Sequence, residues 1–333
     1  MKPLLSRLPI DPFIATIVAM AALATLFPVN GRGLPIANGA TTAAVALIFF
    51  LQGTRLAPSE ALAGARHWRL HTVIFASTFV LFPLLGLAAR ALAPNLLTPP
   101  LWAGLLMLCV LPSTVQSSIA FTSIARGNVP AALCAATASN LLGIALTPLL
   151  AGLLLNAQAG FSARAAGDIV LKLLLPFAVG QLARPWLGDW VVGNRRLVSL
   201  VDRGSVLLIV YVAFSEGVTH GIWRQLDTSH LALLLLLDAA LLAAVLLATT
   251  AATRLLRFNR ADQITIVFCG SKKSLASGLP MASLLFAGQS LGLIVLPLML
   301  FHQVQLMACA VLARRYAAGE AVAPVQGAIA PTR

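Results

Sequence analysis

The stretch FCGSKKSLASGLPMASLLF, residues 268–286, decides the fold. Its flanks are apolar enough to lie in lipid, yet Lys272 and Lys273 stand side by side in its middle. Ser271 and Ser274 flank the pair. A lysine at the centre of a membrane-spanning helix costs about 2.5–3.5 kcal/mol on insertion scales, and ionisable residues at such depth generally serve a function. The stretch therefore predicts a spanning helix with a polar interruption.

The composition of the whole chain agrees with a membrane environment. Of 333 residues, 59% are hydrophobic and 10% are charged, whereas soluble proteins carry roughly 25% charged residues. The net charge of +13 does not indicate a nucleic-acid partner, because the basic residues are scattered singly between apolar runs. The four cysteines lie in apolar segments without metal-ligand spacing, so no metal site is predicted. We expect a polytopic protein of the lipid bilayer.

Ten apolar segments are candidates for membrane spans, which need about 20 residues each. They are residues 11–29, 35–51, 70–92, 100–124, 129–155, 168–187, 204–221, 230–251, 263–286 and 290–313. When the N-terminus is placed inside, the inner loops hold most of the lysines and arginines, as is typical of cytoplasmic loops. The pattern predicts a multi-pass protein of the cell (inner) membrane with both termini in the cytoplasm.

The ten spans divide into two sets of five, residues 1–160 and residues 161–315. An odd number of spans in each half requires the halves to insert with opposite orientation, which is the inverted-repeat plan of many secondary transporters. Residues 316–333 are rich in Ala, Gly and Pro, so a disordered C-terminal tail is expected.

The fourth span of each half carries a polar break. The first break contains Pro112, Ser113, Thr114, Gln116, Ser117 and Ser118, and the second runs from residue 270 to 274 with Ser271, Lys272, Lys273 and Ser274. About eleven residues precede the first break, which at 1.5 Å per residue places it near the middle of the bilayer. Non-helical backbone at that depth must be buried in protein or line a cavity. The two breaks are therefore predicted to form a central binding site.

The broken fourth span ending in ARGNV (residues 125–129) and the broken ninth span reading GSKKSLASGLP (residues 270–280) resemble the bile acid:sodium symporter superfamily. The resemblance is nearest to its SBF-like branch, whose eukaryotic relatives include solute-carrier family 10 member 7, and it extends to about Arg315. It implies an all-α fold of about ten transmembrane helices in two inverted five-helix repeats. Spans one, two, six and seven would form a panel, and spans three to five and eight to ten a core in which the discontinuous spans four and nine cross. Alternating access would move core against panel.

The sequence departs from the sodium-coupled members of that superfamily at the positions of their ion ligands. Those members carry an Asn after the fourth-span break, hydroxyls on the fifth span and a Glu in the ninth. The matching residues here are Ile119, Ala132, Ala136 and Phe268. Hard cations need oxygen ligands, which these side chains do not supply. The resemblance thus makes sodium a possible cofactor only in a non-standard site.

The missing ligands suggest a role for the lysine pair. Lys272 and Lys273 would supply, as covalently attached charge, the positive charge that bound sodium supplies elsewhere, and would present it to an anionic solute. The alternative is that both amines are structural and donate to carbonyls freed by the break. Adjacent residues point about 100° apart on a helix, so only one of the two is expected to face a cavity.

Other polar residues within spans are candidates for coupling. Asp238 lies mid-span in LALLLLLDAALLAAVLL (residues 231–247), where a lone carboxylate is costly unless paired or protonated. One hypothesis pairs it with a lysine of the ninth span to couple transport to protons, and the alternative is a neutral carboxyl hydrogen-bonded between helices. Glu216 is expected on the panel. His302 and Gln303 are candidates for facing the breaks, with an interhelical hydrogen bond as the alternative.

The sequence as a whole favours a secondary-active transporter of a small organic anion. Two alternatives stay open: a proton-coupled or sodium-independent carrier, and a non-transporting membrane regulator of calcium homeostasis. An enzyme is not expected, because the chain has no phosphate-binding loop, no HExxH and no GxSxG motif. The sequence is silent on the oligomeric state.

Overall fold

The computed structural model describes residues 12–31, 33–55, 67–159, 163–219, 221, 228–287 and 289–319. In these ranges the chain is all α-helical, without a β-strand. The helices are α1 (Pro12–Leu26), α2 (Gly33–Arg55), α3 (Trp68–Leu92), α4 (Pro99–Val110), α5 (Gln116–Ile124), α6 (Val129–Ala159), α7 (Ala163–Gly193), α8 (Arg195–Thr219), α9 (Thr228–Leu255), α10 (Arg260–Gly270), α11 (Leu275–Leu285) and α12 (Leu291–Gly319).

Each of the ten predicted spans corresponds to a helical segment of the described chain, with α4 and α5 forming the fourth and α10 and α11 the ninth. Six helices are long and apolar enough to cross a membrane by length and composition: α2, α3, α6, α8, α9 and α12. The chain is thus an all-helical, polytopic membrane protein. Residues 316–319, predicted as part of a disordered tail, instead complete the last turn of α12. The rest of that tail lies outside the described residues.

The helices pack in two groups. Helices α1, α2, α7 and α8 pack mainly on one another, whereas α3–α6 and α9–α12 form the second group. This grouping is the panel and the core that the resemblance implies. The groups meet where α8 contacts α11 and α12, and where α6 contacts α7. The division into two inverted repeats stays a prediction.

Glycines allow the closest helix approach within the panel. A Cβ added at Gly53 of α2 would overlap the carbonyl oxygen of Phe177 on α7, and one at Gly180 would overlap the carbonyl oxygen of Phe50. Small residues permit such close packing between spanning helices, where dispersion contacts replace the hydrophobic driving force. The α2–α7 pair is therefore the most tightly crossed pair of the panel.

One turn of α3 is widened. Residues Ser77–Leu81 form a π-helical turn inside an otherwise α-helical span. Such turns are rare and are frequent at functional sites. The turn packs against α4 and α9, and it lies next to the second break, because the hydroxyl of Ser77 donates to the carbonyl of Gly270 (2.8 Å). The widened turn thus belongs to the surroundings of the site described below.

Candidate functional site

Both predicted breaks are present. Helix α4 ends at Val110 and α5 begins at Gln116, so residues 111–115 are non-helical. The sequence placed Gln116, Ser117 and Ser118 in this break. That placement is wrong, because the three residues form the first turn of α5. Pro112 has no N–H to donate and disfavours helical geometry at the residue before it, whereas nothing after Val115 prevents the helix from resuming. The second break covers residues 271–274, since Gly270 still belongs to α10.

The two breaks cross in direct contact. The backbone N–H of Ser274 donates to the carbonyl of Pro112 (2.9 Å). The hydroxyl of Ser113 donates to the carbonyl of Cys269 at the end of α10 (2.7 Å). Backbone groups that lack helical partners are therefore satisfied by the opposite break, which buried polar groups in lipid require.

Helix α6 joins the two breaks through Asn140, which the sequence analysis did not identify. The Nδ2 of Asn140 donates to the carbonyl of Ser113 (2.8 Å), and its Oδ1 accepts from the hydroxyl of Ser277 on α11 (2.7 Å). One helical residue earlier, the Oγ of Ser139 accepts from the N–H of Ser113 (3.0 Å). The crossing is thus a junction of three spans: the two interrupted ones and α6.

Lys273 is buried in this junction and holds it together. Its Nζ donates to three backbone carbonyl oxygens, those of Thr78 (2.8 Å), Cys109 (2.7 Å) and Leu111 (2.8 Å). The ring of Phe82 lies 4.1 Å from the Nζ. Three acceptors match the three protons of an ammonium group. Lys273 therefore links the π turn of α3 to the C-terminal end of α4. For this lysine, the contacts are those of the alternative in which the amines donate to backbone carbonyls.

Gln305 of α12, also unpredicted, fixes the backbone of Lys273. Its Oε1 accepts from the N–H of Lys273 (2.9 Å) and its Nε2 donates to the carbonyl of Lys273 (2.9 Å). The same Nε2 lies 2.8 Å from the Nδ1 of His302. The candidate His302 thus reaches the break through Gln305. The candidate Gln303 is half-buried, and its Oε1 has no hydrogen-bond partner among the residues described.

Lys272 lies in different surroundings. Its Nζ donates to the carbonyl of Ser117 in the first turn of α5 (2.9 Å). The ring of Phe121 is 3.7 Å away and that of Phe268 is 5.6 Å away, distances at which an ammonium is attracted to an aromatic face. Within the described residues Lys272 has one oxygen acceptor for its three protons. The two lysines thus differ in the number of oxygen acceptors around their ammonium groups.

The remaining predicted hydroxyls line the start of α5 and the second break. The Oγ1 of Thr114 lies 2.5 Å from the Oγ of Ser117 and 3.3 Å from that of Ser118. Ser271 is fully buried, and Ser274 caps α11 by accepting from the N–H of Ser277 (3.2 Å). Gln116 is exposed in the first turn of α5. The exposed part of the junction thus includes a helix N-terminus.

The positions that match sodium ligands in the symporters carry no side-chain oxygen. Ala132, Ala136 and Phe268 are fully buried, and Ile119 is half-buried. The ring of Phe268 occupies its position and contacts the ammonium of Lys272 instead. No group of three or more His, Cys, Asp or Glu side chains suited to a metal ion occurs in the described ranges.

The two acidic candidates are separate from the lysines. Asp238 of α9 is fully buried, and within the described residues it forms no ion pair with Lys272 or Lys273. The ion pair suggested by the sequence is therefore not formed. Glu216 lies on the panel helix α8, as predicted, and its Oε1 accepts from the Nδ2 of Asn38 on α2 (2.8 Å).

A cavity of about 250 Å³ opens elsewhere, at the first turn of α3 and the α9–α10 turn. Its lining includes Arg69, Arg257 and Asp262. None of the residues of the two breaks lines it. The cavity is thus distinct from the junction in which the predicted polar residues meet.

An all-helical membrane fold with two interrupted helices that cross at the middle of the molecule is typical of secondary transporters. The chain belongs to the SBF-like CPA transporter family, whose sequence profile matches residues 11–318. It is 52% identical over 308 residues to the Escherichia coli (strain K12) protein named "Putative symporter YfeH", covering 92% of this chain and 93% of that one. It is 50% identical over 325 residues to the "Uncharacterized protein PA2026" of Pseudomonas aeruginosa, covering 97% and 98%.

The similarity extends to animals. The chain is 30% identical over 319 residues to the "Sodium/bile acid cotransporter 7" of Rattus norvegicus, which covers 93% of each chain. The family predicted from the two broken spans is therefore confirmed. A transporter implies a membrane environment and a small-molecule solute.

Proposed function

We propose that this protein is a secondary-active carrier of a small organic anion, that it works by alternating access, and that its transport does not require sodium. One observation carries the proposal: two ammonium groups are buried where the two interrupted helices cross. Lys273 is committed to carbonyl oxygens, whereas Lys272 keeps protons that an anion can accept.

The charge distribution of the junction favours an anion. Helices α5 and α11 both begin there, and each N-terminus carries a partial positive charge of about +0.5. The Nζ of Lys272 lies against the first turn of α5. Positive helix ends that point at an anionic group are a recurrent feature of transporters with broken helices. The exposed residues Gln116, Ala120 and Ala276 mark the part of the junction that a solute can reach.

The chemistry of the junction supports the proposed sodium independence. The side chains at the ligand-matching positions offer carbon where the symporters offer oxygen, and sodium binds to oxygen. The ammonium of Lys272 is held between the rings of Phe121 and Phe268, so a tethered cation lies beside one of those positions. This cation would perform the electrostatic role of a bound ion without a binding equilibrium.

The test is uptake by the purified protein in liposomes. Radiolabelled small carboxylates and sulfonates are offered under three conditions: an inward sodium gradient, equal potassium on both sides, and an inward proton gradient. We expect saturable uptake of an anion that persists when sodium is replaced by potassium. Uptake only with sodium would overturn the sodium independence. The absence of uptake and of binding for all anions would instead favour a regulatory protein.

Lys272→Met tests the assignment of the anion to this lysine. Loss of one charge-assisted hydrogen bond costs about 1.5–3 kcal/mol, which corresponds to a roughly tenfold or larger increase in Kd. Lys172→Met is the matched control, because Lys172 is exposed on α7. Equal anion affinity in the wild type and in Lys272→Met, measured by titration calorimetry, would contradict the assignment.

A further inference from the structure

Asp238 is the most unusual side chain outside the crossing. It follows the start of α9 at Thr228 by ten residues, which at 1.5 Å per residue places it roughly 15 Å along the helix. That is about half of a 30 Å hydrocarbon layer. Its side chain is 0% exposed. Within the described residues neither carboxyl oxygen has a hydrogen-bond partner.

The surroundings of Asp238 are unfavourable for a charged carboxylate. A buried carboxylate without a partner costs several kcal/mol. Even a neutral polar group left without hydrogen bonds costs about 1–3 kcal/mol. An unsatisfied group of this kind calls for an explanation beyond stability, and ionisable residues within a membrane are functional by default.

The helix that carries Asp238 lies close to the surroundings of Lys273. Helix α9 packs against the π turn of α3 and against α10. The π turn contains Thr78, an acceptor of Lys273, and α10 ends at the break that contains Lys273. The carbonyl of Cys109 at the end of α4 is another acceptor of Lys273 (2.7 Å). Helix α9 and the ammonium of Lys273 therefore share the π turn of α3 as a neighbour.

We propose that Asp238 is the proton-binding group that couples this carrier to the proton gradient, and that it acts through Lys273. When Asp238 is neutral, the ammonium of Lys273 stays on its three carbonyls and holds the end of α4 in the junction. When Asp238 releases its proton to the aqueous phase, the carboxylate attracts the ammonium. The local charge falls from +1 to 0 with one proton in solution, and the carbonyls at the end of α4 lose their donor.

Other titratable groups face the same region. The elements packed against α9, together with α4, carry Cys109, Cys269, Lys272, Lys273, His302 and Cys309 in their middle parts. Their remaining charged or titratable residues lie in terminal turns: Arg69, His71 and Arg90 in α3, Arg260 and Asp262 in α10, and Arg314, Arg315 and Tyr316 in α12. In the described part of these elements Asp238 is the sole carboxyl group at this depth. A carboxyl signal from the middle of the core is therefore assignable to it.

The proposal rests on the proposed function for its physiological meaning, but its first two measurements need no solute. Infrared difference spectra of the protein in lipid detect the C=O stretch of a neutral carboxyl group and its loss as the pH rises. Hydrogen–deuterium exchange of residues 109–115 reports whether the end of α4 is held. Wild type, Asp238→Asn and the exposed control Asp189→Asn are compared at equal pH, so that intrinsic exchange rates cancel.

We expect a high-frequency carboxyl band in the wild type and in Asp189→Asn that is absent from Asp238→Asn. At alkaline pH the exchange of residues 109–115 should increase at least tenfold in the wild type and stay slow in Asp238→Asn, which mimics the neutral carboxyl. Identical band and exchange in wild type and Asp238→Asn would overturn the proposal.

A third measurement separates the two proposals. Accumulation of an anion driven by a proton gradient should be lost in Asp238→Asn, whereas exchange of that anion across the membrane without a gradient should persist. Gradient-driven accumulation that survives in Asp238→Asn would overturn the coupling role. A wild type that carries no anion would defeat the proposed function, while the spectra and exchange data would still decide the link between Asp238 and Lys273.

Discussion

At the scale of single residues, the adjacent lysines Lys272 and Lys273 make different contacts. Lys273 uses all three ammonium protons on carbonyl oxygens, and two of these carbonyls belong to Cys109 and Leu111 at the C-terminal end of α4. A positive charge at a helix C-terminus is favourable because the last carbonyls are unpaired and carry partial negative charge. Lys272 has one such contact and two aromatic neighbours. Lys273 therefore contributes more hydrogen bonds to the fold than Lys272 does.

This difference predicts unequal stability for the two methionine variants. Lys273→Met leaves three buried carbonyls without this donor, and an unsatisfied buried group costs about 1–3 kcal/mol. We expect a loss of about 3 kcal/mol or more, and a smaller loss for Lys272→Met. Thermal unfolding of the detergent-solubilised proteins measures both, with Lys172→Met as the exposed control. A lower Tm for Lys272→Met than for Lys273→Met would contradict the division of roles.

The two glutamines of α12 provide a second comparison at this scale. Gln305 makes two hydrogen bonds to the backbone of Lys273, whereas the Oε1 of Gln303 makes none with the described residues. Gln305→Leu should therefore lower the Tm, since it orphans a buried N–H and a buried carbonyl. Gln303→Leu, two residues away, should leave the free energy of unfolding within about 1 kcal/mol of the wild-type value. Equal losses of stability in both variants would show that the two hydrogen bonds from Gln305 to the backbone of Lys273 contribute nothing to stability.

At the scale of elements, polar residues and prolines inside apolar runs predicted the interruptions. Pro112 with its following hydroxyls and the lysine pair marked both breaks to within a few residues. The exact ends were not predictable, because Gln116, Ser117 and Ser118 are polar yet adopt helical geometry once the proline is passed. Polarity indicates where a helix is allowed to break, whereas backbone hydrogen bonding decides where it resumes.

The partners of the breaks were harder to predict. Asn140 and Gln305 are amides within long apolar helices, and the direction of an amide side chain depends on the rotation of its helix. Asn140 follows Val129 by eleven positions, which would have placed that amide near the middle of the bilayer, at the depth of the breaks. The π turn of α3 has no sequence signal that we recognise. The depth of a polar residue is therefore predictable from sequence, and its partner is not.

Close helix crossing gives a prediction for elements. Gly53 and Gly39 both lie in α2, but a Cβ at Gly53 would overlap the backbone of α7, whereas a Cβ at Gly39 would meet nothing within 4 Å. Gly53→Ala should push α2 and α7 apart and lower the Tm. Gly39→Ala should be neutral or stabilising, because alanine is favoured over glycine in a helix by about 1 kcal/mol. A neutral Gly53→Ala would indicate that the panel helices shift without cost.

At the scale of the whole molecule, basic residues gather at the same helix ends. In the core, Arg69 at the start of α3 donates to the carbonyl of Leu256 (3.3 Å), and Arg260 at the start of α10 lies over the ring of Tyr316 near the end of α12 (4.9 Å). The α5–α6 turn joins this end, since the Nδ2 of Asn128 donates to Asp262 (2.8 Å). These helix ends therefore form one basic rim of the core.

The panel has a corresponding rim. Arg55 at the end of α2 forms an ion pair with Asp202 near the start of α8 (2.7 Å). Arg203 lies over the ring of Phe13 at the start of α1 (5.4 Å). The alternating direction of successive spans assigns both rims to one side of the membrane. Cytoplasmic loops are enriched in lysine and arginine, so this side is expected to be the cytoplasm.

The orientation can be tested with reporters fused at three positions. Alkaline phosphatase folds into an active enzyme only outside the cytoplasm, whereas green fluorescent protein exported in unfolded form stays dark. Fusions after Asn194, in the α7–α8 turn, and at the C-terminus should fluoresce and lack phosphatase activity. A fusion after Gly221, beyond the end of α8, should show the opposite pattern, because one span separates it from Asn194. The reverse pattern at all three positions would show that the protein has the opposite orientation in the membrane. The same pattern at Asn194 and Gly221 would mean that α8 does not cross the bilayer. The assignment of α8 as a spanning helix of the panel would then be wrong.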